Sequence, residues 1–189
     1  MCAKPNDLVS DYILRDGIWM QNEVELLISL ILDYPNSTFL DLGANLGTFS
    51  VAAAAFKHRV IAVDPFLLNH AYSRMSTFLF GSEENVRYLV NTISDGKEAL
   101  YPFYRFPGNE GGISFINQET AKTKPANLIG EPVYPVTLKE ILDSITTDTV
   151  IIKIDVEGSE CVALTPYLTQ PIKEFCTTNK FKTKNNDMS

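Results

Sequence analysis

The sequence predicts an α/β fold, a sheet of parallel strands with helices interposed between them. Two observations carry this. First, apolar segments of strand length, Thr38 to Leu42 and Val60 to Val63, flank an apolar run of helical length, Phe49 to Phe56. Second, a further strand pattern at Val86 to Val90 follows another helical stretch, and such alternation makes a parallel sheet with crossover helices the economical arrangement. With 189 residues and 45% hydrophobic content, the chain suits one globular unit with a real core.

Taken in order, Asn22 with Glu25 reads as the start of a helix bearing the stripe Val24, Leu27, Ile28, Ile31 and Leu32. Pro35-Asn36-Ser37 ends it, so residues 1–37 form an N-terminal helical flank and the core begins at Thr38. The first strand runs into Asp41-Leu42-Gly43-Ala44-Asn45-Leu46-Gly47, a loop short of side chains whose glycines let the backbone turn and approach a ligand. The following helix would direct free N–H groups at that ligand. The next strand ends in Asp64, and Pro65 opens a helix over Phe66 to Phe80 that stops at Gly81. After Val86 to Val90, Asp95-Gly96 signals a turn, and Ala99 to Phe106 reads as an antiparallel excursion before the glycine-rich loop 107–112, which could close over a ligand. Asn117 to Glu131 reads as a surface connection. Val133 to Val136 is a short strand, and Thr137 with Glu140 forms a capping box opening a helix through Leu142. Thr149 to Ile154 is a strong strand.

Spacing narrows the ligand. The dinucleotide fingerprint G-x-G-x-x-G meets Gly43, Asn45 and Thr48 here, so two of its three glycines are missing. An acid followed by glycines at alternate positions, the pattern of S-adenosyl-L-methionine sites, meets Asp41, Gly43, Asn45 and Gly47. Only Asn45 departs, and Asn tolerates left-handed backbone. Asp64 ends the next strand, where a carboxylate could accept from both ribose hydroxyls. Along the end of the last strand and beyond it, alternation points Lys153, Asp155 and Glu157 one way. The two acids could remove a proton from a hydroxyl or amine, or bind a divalent cation. Equally, Lys153 could pair with Asp155 and Glu157 could favour a helix dipole.

Composition excludes other classes. A formal charge of −7 with no Lys/Arg cluster before the tail argues against a nucleic-acid partner. Three cysteines without zinc spacing indicate neither a disulfide framework nor a metal site. No signal peptide or membrane span is visible, which leaves the cytoplasm as the default compartment.

The segments DLGANLGTFS, VIAVDPF, NTISDG, TLKEIL and IIKIDVEGSE together resemble the FkbM family of S-adenosylmethionine-dependent methyltransferases over Trp19 to Glu160. The resemblance implies a Rossmann-like class I methyltransferase sheet, S-adenosyl-L-methionine as cofactor, and methylation of a hydroxyl oxygen on a small molecule or glycan. Carried over by position, Asp41, Gly43, Asn45 and Gly47 surround the methionine part, Asp64 holds the ribose, and Asn91 approaches the adenine edge. Asp155 and Glu157 occupy the family's acidic motif and are the catalytic candidates. The family pattern continues past Glu160 with a helix and three strands. Here Pro166 is expected to interrupt the helix begun at Cys161, so the core, 38–165, reads as incomplete and 166–189 as a disordered tail. An incomplete sheet exposes an edge that a partner would cover. The competing reading is therefore a non-catalytic fragment that binds cofactor weakly or acts as an interaction module.

Overall fold

A computed structural model describes residues 1–104, 113–157 and 159–168. The glycine-rich loop 107–112 and the tail beyond 168 lie outside the described residues. The central sheet is built from β1 (Thr38–Leu42), β2 (Arg59–Val63), β3 (Val86–Leu89) and β8 (Val150–Ile154), all parallel, in the order β3-β2-β1-β8. That order is the first half of a Rossmann-like sheet, with strand succession reversing between β1 and β8. Ligands of such sheets bind outside the carboxyl ends of the strands at this reversal.

Helices cover both faces because the strands are apolar on both. Phe39, Val60, Ala62 and Ile151 pack against α2 (Gln21–Asp33) and α3 (Thr48–Ala55). Residues one position along, Leu40, Leu42, Ile61, Val63, Ile152 and Ile154, face α6 (Leu138–Asp143) and α7 (Glu160–Leu168). The capping box of α6 forms as the sequence predicts, with Thr137 Oγ1 accepting from the Glu140 amide and Glu140 accepting from the Thr137 amide. α4 (Leu67–Leu79) links β2 to β3.

Several details differ from expectation. α2 opens at Gln21 behind Met20, which holds a left-handed φ of 54°, so Asn22 is not the cap; Gln21 instead donates to Glu25. Leu32, assigned to the apolar stripe, is exposed, and Leu30 is buried in its stead. α7 continues through Pro166 to Leu168. The surface connection contains α5 (Gln118–Thr123), capped by Asn117. A helix without a sequence-level expectation, α1 (Leu8–Asp16), has Asp7 as its N-cap and Gly17 as its left-handed stop. The antiparallel excursion is present as β5 (Tyr101–Tyr104) with β6 (Ile113–Ile116), and β4 (Thr92–Ile93) pairs in parallel with β7 (Pro135–Val136). No described helix is long and apolar enough to cross a membrane.

Within this frame β1 and β8 are locked by charge. Asp41 and Lys153 are register partners, and their side chains meet at 3.2 Å on the α3 side, with Asp41 wholly buried and Lys153 nearly so. Ser50 of α3 donates to the second Asp41 oxygen at 2.7 Å. Lys153→Met leaves that carboxylate buried without its countercharge and should cost about 3–5 kcal/mol in urea unfolding. Replacing both partners, Asp41→Asn with Lys153→Met, should restore at least half of the loss; a double variant as unstable as the single one would refute the pairing.

Candidate functional site

A cavity of about 370 Å3 opens at the carboxyl ends of β1, β2 and β8. Its size falls in the range of small-molecule sites, about 300–1,000 Å3. From the glycine loop it takes Gly43 and Asn45, from the end of β2 Asp64, and from beyond β8 Asp155, Val156 and Glu157. Asn91, Thr92 and Ile93 form one side with Phe66, and Ile113 and Phe115, on one face of β6, approach from another. Asp7, Leu8, Val9 and Trp19 close it from the N-terminal flank.

Gly43 is there because nothing larger fits. Its φ is +78°, and a Cβ would stand 1.8 Å from the carbonyl oxygen of Asp155. The loop after β1 and the loop after β8 thus touch through bare backbone. Lys153 reinforces the contact by donating to the Gly43 carbonyl at 3.0 Å. Gly47 serves packing: its Cβ position is occupied by the Ser73 side chain of α4, 2.2 Å away. Asn45 takes φ +49°, consistent with Asn where the fingerprint has glycine.

Of the residues predicted from sequence, Gly43, Asn45, Asp64, Asn91, Asp155 and Glu157 share this cavity, whereas Asp41 and Gly47 do not reach its wall. Asp41 is held inside by Lys153 and Ser50. Lys153 pairs with Asp41 more closely than with Asp155, 3.2 Å against 3.9 Å, and turns under the loop while Asp155 and Glu157 face the cavity. The strand ends at Ile154 and Glu157 has φ +49°, so the alternation assumed for these three residues does not extend that far. Nor are the loop amides free. Those of Gly43 and Ala44 donate to the Val63 carbonyl, that of Asn45 to Asp64, and that of Gly47 to the Ala44 carbonyl.

Asp64 is the knot of the site. Oδ2 accepts from the Asn45 amide at 2.9 Å, and Oδ1 accepts from the Phe66 amide at 2.9 Å and from Asn69 Nδ2 at 3.1 Å. A carboxylate offers about four lone-pair sites, so three are engaged by protein and one remains for a ligand. Burial pushes the carboxyl above the usual Asp range, with the bonds from Phe66 and Asn45 and the nearby His70 acting against it. Asn91 donates to the Tyr134 carbonyl at 3.2 Å, which fixes its amide at the cavity rim. The N-terminal residues Asp7 and Trp19 were missed by sequence reasoning. The Asp7-x-x-Ser10 cap ahead of Val9 and Ile13 was the available signal.

No family model and no curated protein matches the chain. Among solved structures it is similar to one described as a putative O-methyltransferase from Klebsiella pneumoniae, at 17% identity and TM-score 0.34 over 46% of this chain and 43% of that one. It is also similar to cofactor-bound Rv0187 from MTB, at 14% identity and TM-score 0.38 over 73% of this chain and 45% of that one. The chain spans less than half the length of either structure.

The raised Asp64 carboxyl gives a pH signature. Its folded value lies above the unfolded one, so its contribution to stability is full below the ordinary range, about 4, and is lost as pH rises through the folded value. The stability difference between wild type and Asp64→Asn, from urea titrations at a series of pH values, should therefore fall from acid toward neutral pH. A difference that rises with pH would show that the hydrogen bonds outweigh burial.

Proposed function

We propose that this chain binds S-adenosyl-L-methionine and transfers its methyl group to a hydroxyl oxygen of a small molecule or glycan. The observation that carries the reading is electrostatic. Asp7, Asp64, Asp155 and Glu157 line the cavity, and no lysine or arginine does so among the described residues. A pyrophosphate would meet uncompensated negative charge there, whereas a ligand bearing a sulfonium and an ammonium finds complementary charge.

The residues present suit this cofactor. Asp64 holds a ribose hydroxyl through its remaining lone pair, one hydroxyl rather than the two expected from sequence. Phe66, Ile93 and Phe115 offer the apolar surface for a purine, with the Asn91 amide at its edge. Gly43 brings the loops of β1 and β8 together beneath the methionine part. When bound, the cofactor supplies an electrophilic methyl group on sulfur. Asp155, a partly exposed carboxylate beside the glycine loop, would accept the proton of the acceptor hydroxyl, and Glu157 would hold the acceptor from the same wall.

A second reading, a cofactor-binding module without turnover, is favoured by one observation: β8 carries no further strand on its outer edge among the described residues. Such an edge suits a partner strand.

Calorimetry with S-adenosylhomocysteine on folded protein should show saturable binding that NAD does not displace. Asp64→Ala should weaken it about 10-fold or more, the value of a hydrogen bond to a charged group. Under turnover, Asp155→Asn should lower kcat by about 10²–10⁴ while leaving cofactor binding intact. Binding by wild type with no transfer to any hydroxyl acceptor selects the second reading; absence of binding ends both.

A further inference from the structure

We infer that Asp7, at the head of the N-terminal helix α1, is a specificity-determining residue that receives the α-ammonium of the cofactor's amino-acid end. This rests on the cofactor reading above. Three observations lead to it. The Asp7 side chain belongs to a residue only 5% exposed, and it faces the cavity. Its Oδ2 accepts from the Ser10 amide at 2.8 Å as a helix cap, whereas Oδ1 has no donor among the described residues. That oxygen is open to the cavity rather than sealed inside the protein, and a charged N–H partner there would make a charge-assisted hydrogen bond.

Placement identifies which part of the ligand Asp7 meets. Val9 and Ile13 of α1 pack on Leu46, a residue of the glycine loop, with Trp19 and Tyr72 against the same cluster. The helix is thereby seated over the glycine loop, which lies beneath the methionine part in the reading above. Asp64 stands at the sugar, and Asp155 and Glu157 stand beyond β8 where the acceptor enters. The amides of Gly43, Ala44, Asn45 and Gly47 are engaged within the protein, so the loop itself offers few groups to orient the amino-acid end. An ammonium can donate to Oδ1 of Asp7; a sulfonium has no hydrogen to give. The geometry therefore assigns Asp7 to the ammonium.

Asp7→Asn tests this cleanly, because Asn caps a helix about as well as Asp and so preserves α1. Calorimetry would compare three probes on wild type and variant: S-adenosylmethionine, S-adenosylhomocysteine, and 5′-methylthioadenosine, which has the nucleoside and thioether but no amino-acid end. The expected result is a loss of about tenfold or more for the first two, with the third unchanged. Equal weakening of all three would reduce Asp7 to a seat for α1 and overturn the assignment. Loss confined to S-adenosylmethionine would assign Asp7 to the sulfonium and overturn it as well. Unchanged binding of every probe would also overturn it, and in each of these cases wild-type binding leaves the cofactor reading standing. Wild type that binds none of the three defeats both.

Discussion

The contact between Asp41 and Lys153 is the constraint from which the site follows. It joins the two strands that flank the reversal in strand order, and it does so on the side covered by α3. A slip of one residue would turn Asp41 toward the α6 and α7 face, into apolar side chains with no countercharge. The pair therefore specifies register more than it adds stability. Lys153 then extends the same ammonium to the Gly43 carbonyl, coupling strand pairing to the shape of the glycine loop.

From that coupling the cavity is assembled by two kinds of close contact. One is steric: the β1 and β8 loops approach until no Cβ fits at Gly43. The other is polar: Asp64 ties the glycine loop to the start of α4 through Asn45, Phe66 and Asn69. Burial and hydrogen bonding act on the charge of Asp64 in opposite directions, so the carboxyl sits under electrostatic tension at the cavity wall. Such residues concentrate where ligands bind.

Much of this was legible in the sequence, for physical reasons. Strands buried on both faces read as continuous apolar runs, so β1, β2 and β8 were placed within a residue or two. The Thr137 and Glu140 box was legible because both halves of a capping box are local. Failures came where long-range contacts decide. Asp41 looked like a ligand residue because its charge is visible and its partner, 112 positions away, is not. Asn22 looked like a cap, but Met20 in left-handed backbone takes that place two residues earlier. α1 escaped notice because its apolar face is narrow, Val9 and Ile13, and takes its meaning from Leu46 of the glycine loop.

That last miss bears on how the site works. The sheet alone supplies a cavity open on the side of the glycine loop, and α1 supplies the missing wall together with a fourth carboxylate. The segment ahead of it is tied down by the Cys2 amide to Ser76 of α4 and by the Lys4 amide to Ser10. These neutral hydrogen bonds, each worth about 1 kcal/mol, add to the packing of Val9 and Ile13 on Leu46. A cationic ligand beneath Asp7 would add a charge-assisted contact to that wall. Ligand binding and the seating of α1 on the glycine loop would then strengthen one another by linkage. The net charge of −7 acts in the same sense, since it favours approach of a cation to a cavity whose described walls hold only acids among charged groups.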